Sequence, residues 1–375
     1  MRKHLLTFAV LAMSMALLTA CDDDDDDVKV TPIDVSEGLF IIGSGNTRSN
    51  IDGNVSYIDY QNQTVTGNAF QQANGKSVGK TANFGYIYGS KLYIAVDREN
   101  TIWVCNKNTL KVEKQLSTTT LLGETDGISP RAIAADDGKI YFTCYGTDGK
   151  GVVAEVDTMT FALGKTYRVG SYPDGIAICQ GYAFVANSDY GNNVNPSVSK
   201  ISLSTGTVSE IKDAAITNPM QVVAIGDAVY YLDYGTYDAN WNQTGQGVRR
   251  ITMDGKVTKL IDGTVMGTDG KRIFSANAPY GSTPSYYIYD TATGQTTSWE
   301  PADVLNPAVI AVDPVSGNIF ITSYSPNPDT GYASYNTPSY TNQYDAQGNF
   351  VKKYEGTATG PISAVFNTHT EYVKK

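Results

Sequence analysis

Seven times along this chain an aliphatic residue is followed at once by an aromatic one inside a short apolar run. The aromatic members are Phe40, Tyr93, Tyr141, Phe184, Tyr230, Phe274 and Phe320, separated by 53, 48, 43, 46, 44 and 46 residues. Self-similarity at such a period marks a repeat architecture, in which each unit is too small to bury its apolar surface alone. In five units a tyrosine trails the couplet by four or six residues, at Tyr145, Tyr190, Tyr234, Tyr280 and Tyr324.

The units read as four short strands. Val, Ile, Tyr and Thr alternate over runs closed by Gly, Asn, Asp and Pro, and helical periodicity is almost absent. In the third unit, 130–134 is the inner strand A, an Asp137-Gly138 turn leads into strand B at 139–144, strand C covers 152–156 and strand D covers 163–169. The fourth unit repeats the scheme from Pro173, the fifth and seventh restart at Pro219 and Pro307, and the sixth starts at Gly263–Met266. Four-stranded units stack and close into a ring to protect their edges. The first unit opens directly on strand B, Gly38-Leu39-Phe40-Ile41, and its missing strand A stands at the far end as Gly360 to Phe366. The expectation is an all-β, seven-bladed β-propeller over residues 38–375, closed by a C-terminal strand that completes the first blade.

Residues 1–20 read as a leader. Arg2 and Lys3 precede an apolar run, Leu5 to Leu18, that is too short for a permanent span. The sequence Leu18-Thr19-Ala20-Cys21 resembles a bacterial lipoprotein signal, with Cys21 as the acylated residue and an ordinary secretory signal as the alternative. Asp22 to Asp27 repel one another too strongly to bury, so 21–37 reads as a solvated tether. Acidic residues directly after the lipidated cysteine resemble the surface-export signal of Bacteroidetes lipoproteins. The expected location is the outer membrane, facing outward and held by the lipid alone.

Charge and rare residues narrow the chemistry. Losing Arg2 and Lys3 with the leader takes the net charge from −10 to −12, and no basic patch is visible, which disfavours nucleic acid. Only His369 remains after His4 is removed, so a histidine-dependent nucleophile or a zinc site lacks its parts. Calcium needs only oxygen ligands, but Thr147-Asp148-Gly149 and Asp269-Gly270 read better as turns. The reading is no enzyme, no metal and no cofactor. Cys105, Cys144 and Cys179 lie in apolar runs and read as buried small hydrophobes, with a Cys144–Cys179 bridge as the alternative.

Loops B–C and D–A share one face of such a ring. The B–C loops are aromatic and carry Tyr145, Asn187, Tyr190, Asp233, Tyr234, Tyr237, Trp241, Asn277, Tyr280, Tyr324 and Tyr335 as candidate ligand contacts. Tyrosine offers a flat area with little entropy to lose and a hydroxyl that orients a ligand. Such a rim suits a sugar, a tetrapyrrole or a corrinoid. Alternation points Tyr145, Tyr234 and Tyr324 to the same side as the core aromatic, so packing between blades is the competing role. Arg131 and Asp174 follow the prolines that open strands A, near the channel mouth, where they either meet a ligand or pair with neighbours.

Several segments carry a family resemblance: Gly38-Leu39-Phe40-Ile41 with Gly45-Asn46, Ala73-Asn74-Gly75 with Gly79 and Thr81-Ala82, 87–93, Asn100-Thr101-Ile102, and the strand starts at Pro130 and Pro173. They resemble the YncE-like (YVTN-type) seven-bladed propellers and, more narrowly, Bacteroidetes surface lipoproteins that include the BtuG-type group. That resemblance implies capture of cobalamin or a related corrinoid and delivery to a TonB-dependent outer-membrane transporter. The group carries an acidic residue before the Gly-Asn of the first blade, where this chain has Ser44. A glycan-binding lipoprotein and a protein-interaction scaffold remain the alternatives.

Overall fold

A computed structural model describes residues 30–374. The leader, Cys21 and the tether up to residue 29 lie outside the described residues. The described residues fall into two units, Asp34–His369 and a smaller one holding 30–33 and 370–374, which are extended. The first of these units is the propeller. It holds seven four-stranded antiparallel sheets, with one further two-stranded hairpin at Thr236–Tyr237 and Gln243–Thr244.

Each blade runs A to D from the channel outward. In blade 3 the strands are Pro130–Asp136, Lys139–Cys144, Val152–Asp157 and Leu163–Arg168; in blade 4 they are Pro173–Cys179, Tyr182–Asn187, Ser197–Ser202 and Val208–Ile211. Blade 1 takes its strand A from Pro361–Lys374, beside strand B at Val30–Gly43, as the ring-clasp reading expects. Residues 30–37, read from sequence as the end of the tether, belong to that strand B. Two short helices, Ala69–Asn74 and Thr118–Asp126, fill the D–A connections into blades 2 and 3.

The couplet works as a rivet. Strand B is covered on both faces, and successive side chains point to opposite faces, so two consecutive apolar residues serve two neighbouring blades. Leu39 joins the cluster shared with blade 7 and Phe40 the one shared with blade 2; Ile140 faces blade 2 and Tyr141 faces blade 4. The same division holds around the ring to Ile319 and Phe320, which gives seven clusters, one between each pair of blades. Every couplet aromatic is buried. Prolines open strands A at Pro130, Pro173, Pro219, Pro307 and Pro361, where a missing N–H faces the channel and costs no ladder bond.

Cys105, Cys144 and Cys179 are free and buried, so the bridge considered from sequence does not form. Burial pushes the Cys105 thiol up to about 12 and raises Cys144 and Cys179 as well. Because the thiolate is the reactive form, a chain beginning at residue 28 should show no reaction with Ellman's reagent at pH 8 when native. It should show all three thiols after unfolding in urea. A native thiol that reacts within minutes would contradict this placement.

Candidate functional site

A repeated backbone latch sets the rim of the channel. The residue after strand B donates its N–H to the carbonyl of the residue before strand A. The pairs are Ser44 to Gly360 (2.8 Å), Asp97 to Thr81 (2.9 Å), Tyr145 to Ser129 (3.2 Å), Ser188 to Tyr172 (3.0 Å), Tyr234 to Asn218 (2.9 Å) and Tyr324 to Asn306 (3.0 Å). Blade 6 uses the Thr264 hydroxyl, which accepts from the Ala278 N–H at 3.0 Å. The latch makes Ser44, Asp97, Tyr145, Ser188, Tyr234 and Tyr324 equivalent positions. In blades 2 to 4 the acceptor is a non-glycine residue in left-handed backbone, Thr81, Ser129 or Tyr172 with φ of 60°, 55° and 51°. Such strain persists only where the surroundings hold it, and it clusters at ligand sites.

The inner strands line a channel with a cavity of about 520 Å³. The first inward residue of each strand A defines its mouth. In blades 2, 3 and 4 that residue is Asn83, Arg131 or Asp174; in blades 5, 7 and 1 it is Met220, Ala308 or Ile362, and blade 6 lines the cavity with Thr264 and Val265. The mouth is therefore polar on one arc and mainly apolar on the other.

Arg131 organises the polar arc. Its Nη1 donates to Asp97 Oδ2 and its Nε to Asp174 Oδ1, both at 2.9 Å. The guanidinium carbon sits 4.7 Å from the centre of the Tyr145 ring, and the Tyr145 hydroxyl donates to Asp174 Oδ1 at 2.7 Å. Burial opposes the charge of Arg131, but the facing Asp174, Tyr145 and Asp97 outweigh it and raise its pKa. Burial, reinforced by Asp174, raises the Tyr145 hydroxyl too, so it stays a donor. The sequence left open whether Arg131 and Asp174 meet a ligand or each other; they pair with each other while lining the cavity.

Above the mouth stands the aromatic rim. Tyr145, Tyr172 and Tyr190 touch one another, with ring centres 5.1 to 6.3 Å apart. Tyr237 and Trp241 share the two-stranded hairpin of blade 5, Tyr280 stacks on Tyr332 at 5.9 Å, and Tyr324 meets Tyr335 edge-on at 4.9 Å. Trp241 and Tyr280 are 83% and 82% exposed, and Tyr190, Tyr237, Tyr332 and Tyr335 are exposed as well. Soluble surfaces rarely gather so many large aromatics without a binding role. Tyr145, Tyr234 and Tyr324 are half-buried at the base of this rim, and Tyr234 also lines the cavity. Burial raises the pKa of Tyr234 and pushes Tyr324 up to about 12, so both hydroxyls are protonated at neutral pH.

Three further candidates sit lower. Asn187 is fully buried, and its amide donates to the Ser197 and Ser199 hydroxyls, both at 2.9 Å. Asp233 is likewise enclosed and accepts from the Thr217 and Asn218 N–H groups, the Thr217 hydroxyl and the Gly235 N–H at 2.6 to 3.0 Å. Both hold loops in place beneath the rim. Asn277 is half-buried and accepts from Gln246 at 3.1 Å. Asp97, Asn83 and Tyr172 carry no signal of their own in the sequence, whereas Tyr332 belongs to the aromatic B–C loop that holds Tyr324 and Tyr335. Asp97 and Asn83 were legible by aligning blade 2 on blade 3, where they match Tyr145 and Arg131.

Among solved structures, the chain is similar to a quinonprotein alcohol dehydrogenase-like protein from Bacteroides thetaiotaomicron. Identity is 14%, the match covers 88% of this chain and 78% of that one, and the TM-score is 0.61. It is also similar to hydrazine synthase of Kuenenia stuttgartiensis, at 17% identity over 76% of this chain and 93% of that one, with a TM-score of 0.54. Likeness at this identity shows the propeller fold alone. No curated protein matches at a significant level. A family model, described as a domain of unknown function, matches residues 37–359 and so spans the ring from the first strand B to the last turn before the closing strand; the chain belongs to the DUF5074 family.

Proposed function

We propose that this protein is a cell-surface lipoprotein that captures a corrinoid, cobalamin or a close relative, on the loop face of its propeller and passes it to a TonB-dependent outer-membrane transporter. The observation that carries the reading is the exposed tyrosine and tryptophan rim around an amphipathic mouth. A corrin macrocycle is broad and flat, with apolar faces and a polar fringe. It is wider than a cavity of about 520 Å³ admits, so it lies across the mouth, on Tyr190, Tyr237, Trp241, Tyr280 and Tyr335, with one edge lowered into the channel. The leader, Cys21 and the acidic run supply the surface address in this reading, and the family resemblance supplies the ligand and the transporter. The rim binds rather than catalyses, and no reaction is assigned to it.

Isothermal titration of a chain beginning at residue 28 with cobalamin and cobinamide tests the reading. Binding at micromolar concentration or tighter is the expected result, and its absence overturns the corrinoid assignment. One feature favours a second reading: Trp241 and Tyr237 on their own hairpin form a small aromatic platform of the kind that stacks on sugar rings. Silence with corrinoids and a signal on a glycan array would transfer the assignment to a glycan.

A further inference from the structure

We infer that the polar arc of the mouth selects a hydrogen-bond-donating, uncharged edge of the ligand, a primary carboxamide, and rejects a carboxylate at the same place; this rests on the corrinoid reading above. Arg131 is the only cation lining the cavity among the described residues. Two of its five N–H groups, on Nε and Nη1, are engaged by Asp174 and Asp97, and the flat face of the guanidinium lies over the Tyr145 ring. Two carboxylates against one guanidinium leave a net negative charge on this arc. The opposite arc, Met220, Thr264, Val265, Ala308 and Ile362, carries no charge to compensate it.

What remains unused is acceptor capacity. Asp174 is 6% exposed, its Oδ1 serves both Arg131 and Tyr145, and its Oδ2 is enclosed without a hydrogen-bonding partner in the protein. An ionised carboxylate only accepts hydrogen bonds, and a buried one left short of donors is costly. A carboxamide N–H lowered into the channel takes Oδ1 in exchange for the Tyr145 hydroxyl, or reaches Oδ2 once the Asp174 side chain turns toward the mouth. A ligand carboxylate in that place would face two like charges across a single guanidinium that both already share. Sites built to pair a particular polar group discriminate far more strongly than apolar pockets do.

The corrin periphery carries several primary carboxamides, so the test is chemical. Cobinamide is compared by titration with its singly hydrolysed derivatives, each bearing one carboxylate in place of one carboxamide. At least one derivative should bind fivefold or more weakly, and none should bind more tightly. In Asp174→Asn, and separately in Asp97→Asn, that penalty should shrink to under threefold. If every derivative stays within fivefold of cobinamide, or one binds more tightly, the inference is overturned while the corrinoid reading stands. If cobinamide itself does not bind, both fall. The comparison on the unaltered protein decides the matter even where a variant fails to fold.

Discussion

A chain ending at Gly360 should lose its cooperative fold, although it keeps six complete blades. The segment removed is strand A of blade 1, Pro361–Lys374, the piece that turns an open stack into a ring. Without it the inner edge of strand B in blade 1 is left unpaired, a ready template for association. The loss is also one of packing. Val365 fills the cluster between blades 1 and 2, and Ala364 and Phe366 fill the one between blades 7 and 1, with Phe366 edge-on to Phe320 at 5.8 Å. The Ser363 hydroxyl accepts from the Gly85 N–H at 3.1 Å, so blade 2 loses a tie as well. Each buried large side chain contributes about 1.5–3 kcal/mol, and domains hold only about 5–15 kcal/mol in total. The expected result is a truncated chain that is aggregated or molten by circular dichroism and thermal melting. A peptide covering 357–375 added in trans should restore a sharp transition. A truncated chain that melts within a few degrees of the parent would show that ring closure contributes little.

The ring was readable because its determinants are local. Consecutive apolar residues such as Ile140-Tyr141 require a strand covered on both faces, and that requirement repeats with the period of the blade. The closing strand was readable because blade 1 lacked a strand A and the C-terminus carried one. The polar arc was harder. Asp97, Arg131 and Asp174 come from three blades, 34 and 43 residues apart, and the sequence offers pairing with a neighbour for Arg131 and Asp174 without choosing it over ligand contact. The two helices leave no pattern in the sequence for a different reason. Ala69–Asn74 is under two turns long, and Thr118–Asp126 begins on a run of threonines, so neither shows a periodic face. Parity did carry information about the loop candidates. Asn187 and Asp233 stand three residues after Phe184 and Tyr230, on the opposite face of strands that are covered on both, which is why they are enclosed. Tyr237, Trp241 and Tyr280 lie beyond the four strands of their blades, where the blade alternation ends, and they are exposed.

Asp233 should therefore be the most sensitive single position among these candidates, through stability and not through ligand contact. Its Oδ1 accepts from the Thr217 hydroxyl, the Asn218 N–H and the Gly235 N–H, and its Oδ2 accepts from the Thr217 N–H at 2.9 Å. Arg249, also buried, lies 3.9 Å from Oδ2. Asp233→Ala would leave four donors without their acceptor and the enclosed Arg249 guanidinium without its counter-charge, and breaking such a buried arrangement from one side costs about 3–5 kcal/mol. Asp233→Asn keeps the shape, but its amide nitrogen would face the Thr217 N–H, donor against donor, for a smaller loss of about 1–3 kcal/mol. Thr217→Val removes one donor from the same carboxylate and should cost about 1 kcal/mol. Combined with Asp233→Ala it should add less than that, because the two residues share one network. Urea unfolding of the chain beginning at residue 28, followed by tryptophan fluorescence, reads all four values. A loss below 1 kcal/mol for Asp233→Ala would mean that the loop between blades 4 and 5 is held by its backbone alone. Asp233 would then return to the residues able to meet a ligand.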